Sequence, residues 1–152
     1  MNKVYDLIAV GLGPFNLSLA CLAEPIETLD SLFLEQRDEF NWHPGLMLDG
    51  VTLQTPFMSD LVTLADPTNP YSFLNYAKQQ GKLYQFYIRE SFFLLREQYN
   101  QYCQWAASQL SNIQFGHKVI HSQFDQTKQL YVLTVESAKQ TKTLYCRHLV
   151  LG

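Results

Sequence analysis

The residues in this chain best suited to chemistry are a pair of glycines and a single acid. Gly11-Leu12-Gly13-Pro14-Phe15-Asn16 follows the apolar run "VYDLIAV" and precedes "LSLACLA", and Glu35 lies 22 residues beyond Gly13. Glycine at position 11 permits a tight turn out of a strand. Glycine at position 13 lets backbone N–H groups approach a pyrophosphate at the positive end of the next helix. An acid at the end of the following strand accepts hydrogen bonds from ribose hydroxyls. Pro14 is tolerated because the first helical N–H has no partner inside the helix. The third glycine of the usual fingerprint is replaced by Asn16, so the helix is expected to stand slightly farther from the strand or to tilt. A turn of this kind can also exist without a ligand, but strand, two glycines and a placed acid together favour dinucleotide binding. The motif does not say which dinucleotide.

Other residue pairs offer less. His117 and His121 invite a metal reading, but both fall in a strand-like run. Four strand residues span roughly 13 Å, too far for one zinc with ligands at about 2 Å. No metal site is expected. Cys21, Cys103 and Cys146 are odd in number and far apart, as expected of buried free thiols in a reducing compartment. No Ser-His-Asp or Cys-His arrangement is evident, so an enzyme built on this chain takes its chemistry from a cofactor. Residues 37 to 69 are long, weakly periodic and rich in aromatic and apolar side chains. Trp42 and His43 give that loop a flat aromatic surface and a polar ring, as an isoalloxazine or nicotinamide wall requires. Packing against the core explains the same residues equally well.

The elements that must position these groups follow from pattern. Residues 4–10 and 29–36 are short apolar runs read as strands buried on both faces, joined by a helix and therefore parallel. The stretch from Asn69 to Gly81 reads as a helix with Asn69 as cap, Pro70 in the first turn and Gly81 at the end. Leu95, Tyr99, Tyr102, Ala106 and Leu110 form one stripe of a longer helix over 95–111. From 113 onward three strand-like runs are separated by polar turns, and the last ends in "LVLG". The expected class is α/β: a Rossmann-like domain with a parallel βαβ unit, an antiparallel β-meander and a helical insertion. The insertion is assigned to residues 37–112.

Composition sets the outer bounds. Of 152 residues, 47 % are hydrophobic and 16 % charged, enough apolar surface for a packed core. The net charge is −3 and the 11 Lys and Arg are scattered, which argues against a nucleic-acid partner. The N-terminal apolar run is too short for a signal peptide, and no run reaches membrane-span length. A cytoplasmic protein with no membrane partner is expected.

The blocks "DLIAVGLGPFNLSLA", "FNWHPGLML", "LQTPFMSDLVTLADPTNPYSFLNY" and "YNQYCQWAA" closely resemble the flavin-dependent N-hydroxylating monooxygenases. These include the lysine and ornithine N-monooxygenases of hydroxamate siderophore biosynthesis and their diamine and histamine relatives. The resemblance runs from residue 5 to about 110 and more weakly to the end. It implies FAD and NADPH as cofactors, O2 and a small primary amine as substrates, and oxygen transfer from a flavin C4a-hydroperoxide. It assigns Gly11, Gly13, Pro14 and Asn16 to the FAD pyrophosphate turn and Glu35 to the adenosine ribose. It assigns Trp42, His43 and Gln54 to the flavin site, with Gln54 also near substrate, and the backbone of Val119 to the adenine. In this family the asparagine two residues past the proline is the usual variant, so the missing third glycine is no defect.

Two departures matter. The lysine and ornithine hydroxylases usually carry a lysine, in "FLKDL", that pairs with the substrate α-carboxylate, whereas this chain reads "FMSDL" with Ser59. A serine donates one neutral hydrogen bond and neutralises no anion, and charge-assisted contacts are about twice as strong. The expected substrate is therefore a decarboxylated amine such as putrescine, cadaverine, diaminopropane or histamine. The alternative is an L-lysine or L-ornithine N-monooxygenase that holds the carboxylate with another cation. The second departure is length, because family members continue into an NADPH domain and further substrate residues. The chain is expected to be the N-terminal part of a protein that is a homo-oligomer at full length, with the NADPH site outside this chain and no turnover by residues 1–152 alone. A different flavin or nicotinamide oxidoreductase and a non-catalytic dinucleotide-binding module are the remaining readings.

Overall fold

The computed structural model describes residues 3–138 and 140–152. In chain order the elements are β1 (Val4–Val10), α1 (Pro14–Ala23), β2 (Ser31–Leu34), β3 (Thr52–Pro56), α2 (Phe73–Gln79), α3 (Leu83–Ile88), β4 (Phe93–Leu95), α4 (Arg96–Gln109), β5 (Ile113–Gln114), β6 (Lys118–Asp125), β7 (Leu130–Glu136) and β8 (Thr141–Leu151), with a 3-10 turn at Pro44–Leu46. They group into two compact units. One runs to Phe40 and resumes over Leu110–Gly152, and the other is Asn41–Gln109.

The first unit is built on a six-stranded sheet in the order β5-β2-β1-β8-β7-β6. β1 is parallel to both β2 and β8, placing Leu7 opposite Ser31 and Tyr5 opposite Cys146. β5 continues the parallel half beside β2, while β6, β7 and β8 form the antiparallel meander. Ile8, Leu32, Leu34, Leu133, Val135 and Cys146 are its buried centre. The α/β class read from the sequence stands. β8 serves as both the third meander strand and the parallel neighbour of β1.

Local chemistry explains where the strands end. Asp125 Oδ1 accepts from the N–H groups of Thr127 and Lys128, closing the turn between β6 and β7. These contacts, led by the Lys128 N–H, hold the Asp125 carboxyl below its ordinary range. The run expected as one strand from 113 divides at Gly116, whose φ of +67° turns the chain between β5 and β6. The second expected strand is shorter than 29–36, because Asp30 is taken up by contacts to Asp6 before pairing begins at Ser31.

The second unit packs around aromatic rings. Tyr102 is fully buried, with Phe73 and Tyr76 each at 5.7 Å and Tyr99 at 6.0 Å between ring centroids. α2 starts at Phe73, later than the expected cap at Asn69. Asn69 Oδ1 accepts from Tyr71 N–H and holds a preceding turn, while the Ser72 side chain accepts from Asn75 N–H and caps the helix. Gly81, at φ +68°, follows the helix end as expected. The segment 37–69 is not wholly irregular, since β3 lies in it and pairs antiparallel with β4. α4 occupies 96–109, close to the expected span. Among the described residues no helix is long and apolar enough to cross a membrane.

Candidate functional site

The turn from β1 into α1 is fixed by three hydrogen-bonding groups. Gly11 has φ +85°, and a Cβ there would lie 2.9 Å from the Gly152 carbonyl oxygen. Both facts require glycine. Asn16 is buried, and its Nδ2 donates to the Gly11 carbonyl at 2.8 Å and the Val10 carbonyl at 3.4 Å. The residue in the third glycine's place thus ties the helix back to the strand end. A Cβ on Gly152 would overlap the Asn16 amide, so the residue following β8 must also be small here.

Glu35 is the third group. It is 7 % exposed, and its Oε2 accepts from Leu12 N–H at 2.7 Å while Oε1 accepts from Arg37 N–H at 2.9 Å. Each carboxylate oxygen has two acceptor sites, so both keep one for a further donor. The Glu35 carbonyl accepts from His117 N–H, and the Arg37 carbonyl from Gly116 N–H. Those bonds bring the start of β6, and with it Val119, to the Glu35 end of the sheet. His117 Nδ1 lies 2.8 Å from the Phe115 carbonyl oxygen, and His121 sits past a β-bulge opposite Thr134. Among the described residues no cluster of three His, Cys, Asp or Glu can hold a metal.

The arrangement fits a dinucleotide by its own geometry. Gly13 is the N-cap of a ten-residue helix and makes no side-chain cap, Pro14 is in the first turn, and no acid lies there. A Cβ on Gly13 would meet nothing within 4 Å. The helix therefore opens on accessible space with no acidic side chain in its first turn, as a pyrophosphate requires. Glu35 stands beside that opening with acceptor capacity for ribose hydroxyls.

The other sequence-predicted residues lie in the second unit. His43 has φ +44°, and its ring meets Trp42 edge-on at 5.1 Å. Trp42 also meets Tyr99 at 5.1 Å, and its backbone N–H donates to Asn100 Oδ1 at 2.8 Å. Tyr99 is buried, and burial, more than the neighbouring Cys103 and Asp60, pushes its phenol above the ordinary range. Gln54 is exposed on β3. Ser59 is half-buried in the turn after β3, where its N–H donates to the Pro56 carbonyl at 2.9 Å.

Sequence reasoning missed Arg96. Its guanidinium lies over the Trp42 ring, 4.9 Å from the centroid, and its Nε is buried without a hydrogen-bond partner. One signal was available: a cation at the first position of a helix opposes the helix dipole. Cys21, Cys103 and Cys146 are buried, as expected.

Comparison with known proteins places these features. The chain is 54 % identical to putrescine N-hydroxylase of Shewanella oneidensis over 153 residues, covering 99 % of this chain and 31 % of that protein. It superimposes on the FAD-bound cadaverine monooxygenase of the desferrioxamine pathway from Erwinia amylovora with a TM-score of 0.97 and 53 % identity, covering 99 % of this chain and 36 % of that one. It also superimposes on the ornithine N-hydroxylase of Kutzneria sp. 744, in its complex with reduced FAD, NADP+ and L-ornithine, with a TM-score of 0.92 and 30 % identity over 98 % of this chain and 37 % of that one. The chain thus spans about a third of the length of the relatives it matches. Matched over residues 3–152 by the profile for L-lysine 6-monooxygenase/L-ornithine 5-monooxygenase, it belongs to that family.

Proposed function

We propose that this chain forms the FAD-binding portion of an FAD- and NADPH-dependent N-hydroxylase that converts a primary amine to a hydroxylamine for siderophore biosynthesis. The observation that carries the cofactor assignment is the uncapped start of α1, open above Gly13 and flanked by the Glu35 carboxylate. Gly11, Gly13, Pro14 and Asn16 hold the pyrophosphate turn, Glu35 the ribose and the Val119 backbone the adenine. Trp42, His43 and Gln54 serve the flavin ring, and Gln54 and Ser59 face the amine. Flavin held there would supply the redox chemistry, with NADPH as reductant and O2 as oxidant. The chain's own contribution is to orient that group and to select the amine. The NADPH site lies outside residues 1–152, the whole protein is a cytoplasmic homo-oligomer, and residues 1–152 alone do not turn over.

The proposed substrate is a decarboxylated amine, because Ser59 offers no positive charge to a carboxylate. The similarity to a putrescine and a cadaverine hydroxylase supports this reading. The competing L-lysine or L-ornithine reading has one observation in its favour, the unpartnered Arg96 Nε in the same unit as Ser59. The deciding assay measures hydroxylamine formation by the full-length enzyme with putrescine, cadaverine, diaminopropane, histamine, ornithine and lysine. Preference for either amino acid over all four amines refutes the substrate assignment. Protein that purifies colourless and takes up no FAD refutes the cofactor assignment.

A further inference from the structure

Ser59 stands in a segment without helix or strand, yet selecting an amine requires its hydroxyl to be held in place to within about half an ångström. Its anchors lie on both sides. Upstream, Phe57 N–H donates to the Phe92 carbonyl at 2.8 Å, and the Phe57 ring packs on Phe73, Phe86 and Phe92. Downstream, Asp60 Oδ1 accepts from Val62 N–H at 2.9 Å and Thr63 N–H at 2.7 Å. Its Oδ2 accepts from the Thr63 hydroxyl and from Phe73 N–H, both at 2.7 Å. Leu61 N–H then donates to the Tyr102 hydroxyl at 3.2 Å, which itself donates to the Tyr71 carbonyl at 2.6 Å from a fully buried ring.

We infer that Asp60 is the positioning residue of the Ser59 segment, pinning it to the start of α2, and that it is not a direct hydrogen-bonding ligand of the substrate's ammonium. A carboxylate offers about four acceptor sites, and four protein donors fill those of Asp60. An acid next to a proposed amine contact looks like an ammonium ligand, but this one has no capacity left for that role. Three of its donors belong to its own turn and the fourth is the first N–H of α2, so its charge fixes where residues 57–63 sit against that helix. The Tyr102 hydroxyl fixes the following residue against α4. Thr63 holds the carboxylate from the side.

The inference rests on the proposed amine hydroxylase reading. Its test compares full-length wild type, Asp60→Asn and Thr63→Val, each saturated with FAD. Thr63→Val removes one donor from Asp60 without changing any charge. Expected results are a KM for amine about tenfold higher in Asp60→Asn and several-fold higher in Thr63→Val, with NADPH oxidation in the absence of amine unchanged. The Thr63→Val factor should be equal for putrescine and for n-butylamine, and amide exchange should accelerate at Val62, Thr63 and Phe73. A penalty confined to putrescine, with Thr63→Val silent, overturns the inference in favour of an ammonium ligand. Faster exchange with unchanged KM also overturns it, since the pin then serves stability alone. Wild type that hydroxylates no amine refutes the functional reading instead. In that case exchange decides the anchoring: acceleration in Asp60→Asn supports the pin, and unaltered protection refutes it.

Discussion

Replacing Glu35 with glutamine separates what this side chain does for the fold from what it does for the cofactor. The carboxylate accepts from Leu12 N–H at 2.7 Å and Arg37 N–H at 2.9 Å while only 7 % exposed. A glutamine has one acceptor oxygen, so its amide nitrogen must face one of those two N–H groups. A buried donor left unpaired costs about 1–3 kcal/mol. That cost is present with and without FAD, so it lowers the unfolding free energy of the flavin-free protein and largely cancels from affinity. The ribose contact behaves differently, because it exists only in the complex. Exchanging a charge-assisted for a neutral hydrogen bond there loses about 1.4 kcal/mol, a tenfold change in Kd. The assays are denaturant unfolding of the flavin-stripped full-length protein and titration with FAD followed by quenching of flavin fluorescence. Lower stability with an unchanged Kd would refute the ribose assignment and leave Glu35 as a tie within the turn. An unchanged stability would refute the packing argument itself.

Gly11→Ala should lower stability by at least about 1–2 kcal/mol, the cost of left-handed backbone at a residue bearing a Cβ. The close approach to the Gly152 carbonyl adds to it, and an unshifted denaturant midpoint would refute the assigned turn geometry. Tyr99 gives a pH signature, because burial raises its phenol above the value near pH ~10 at which an unfolded tyrosine ionises. Its contribution is therefore complete below that pH and is lost as pH rises above it. Tm should fall less steeply above about pH 10 in Tyr99→Phe than in wild type, and equal slopes would count against the buried, neutral phenol. Ser59→Lys should shift the kcat/KM ratio of ornithine over putrescine upward by about tenfold or more, the worth of a charge-assisted contact. An unchanged ratio would remove Ser59 from substrate selection.

The first unit was legible because its signals are local. Val4–Val10 and the βαβ turn are written in contiguous apolar runs and glycines, and the meander in polar turns such as that of Asp125. The second unit was less so. β3 and β4 are five and three residues long, and Thr52 pairs with Leu95 across most of the insertion, so no short window of sequence contains the pairing. α3 has six residues, all apolar or aromatic except Gln85, which leaves no periodicity to distinguish a helix from a loop. Within the candidate site, Gly11 was readable because a positive φ selects glycine. The saturation of Asp60 was not, because one of its four donors, Phe73 N–H, lies 13 residues away and becomes a free helix N-terminal group only when Ser72 caps α2.

The charge balance of residues 53–61 explains why the Ser59 prediction has two arms. On the proposed reading the nitrogen that is hydroxylated must be neutral to act as a nucleophile, while the far end of a diamine stays protonated. A lysine at position 59 would favour a carboxylate at that end, as in an amino acid. It would equally repel an ammonium, by about 3 kcal/mol for unit charges about 5 Å apart at an effective dielectric near 20. Serine removes that repulsion and loses the carboxylate contact at the same time. Ser59→Lys must therefore lower kcat/KM for putrescine as well as raise it for ornithine. A gain for the amino acid with the diamine untouched would mean that the remote ammonium does not lie near position 59. The carboxylate beside Ser59 offers the diamine no free acceptor site, since Asp60 is committed to Val62, Thr63 and Phe73. Selection for a decarboxylated amine then comes from the absence of a cation at 59, while the one carboxylate in the same turn has its acceptor sites filled by neutral donors of the protein.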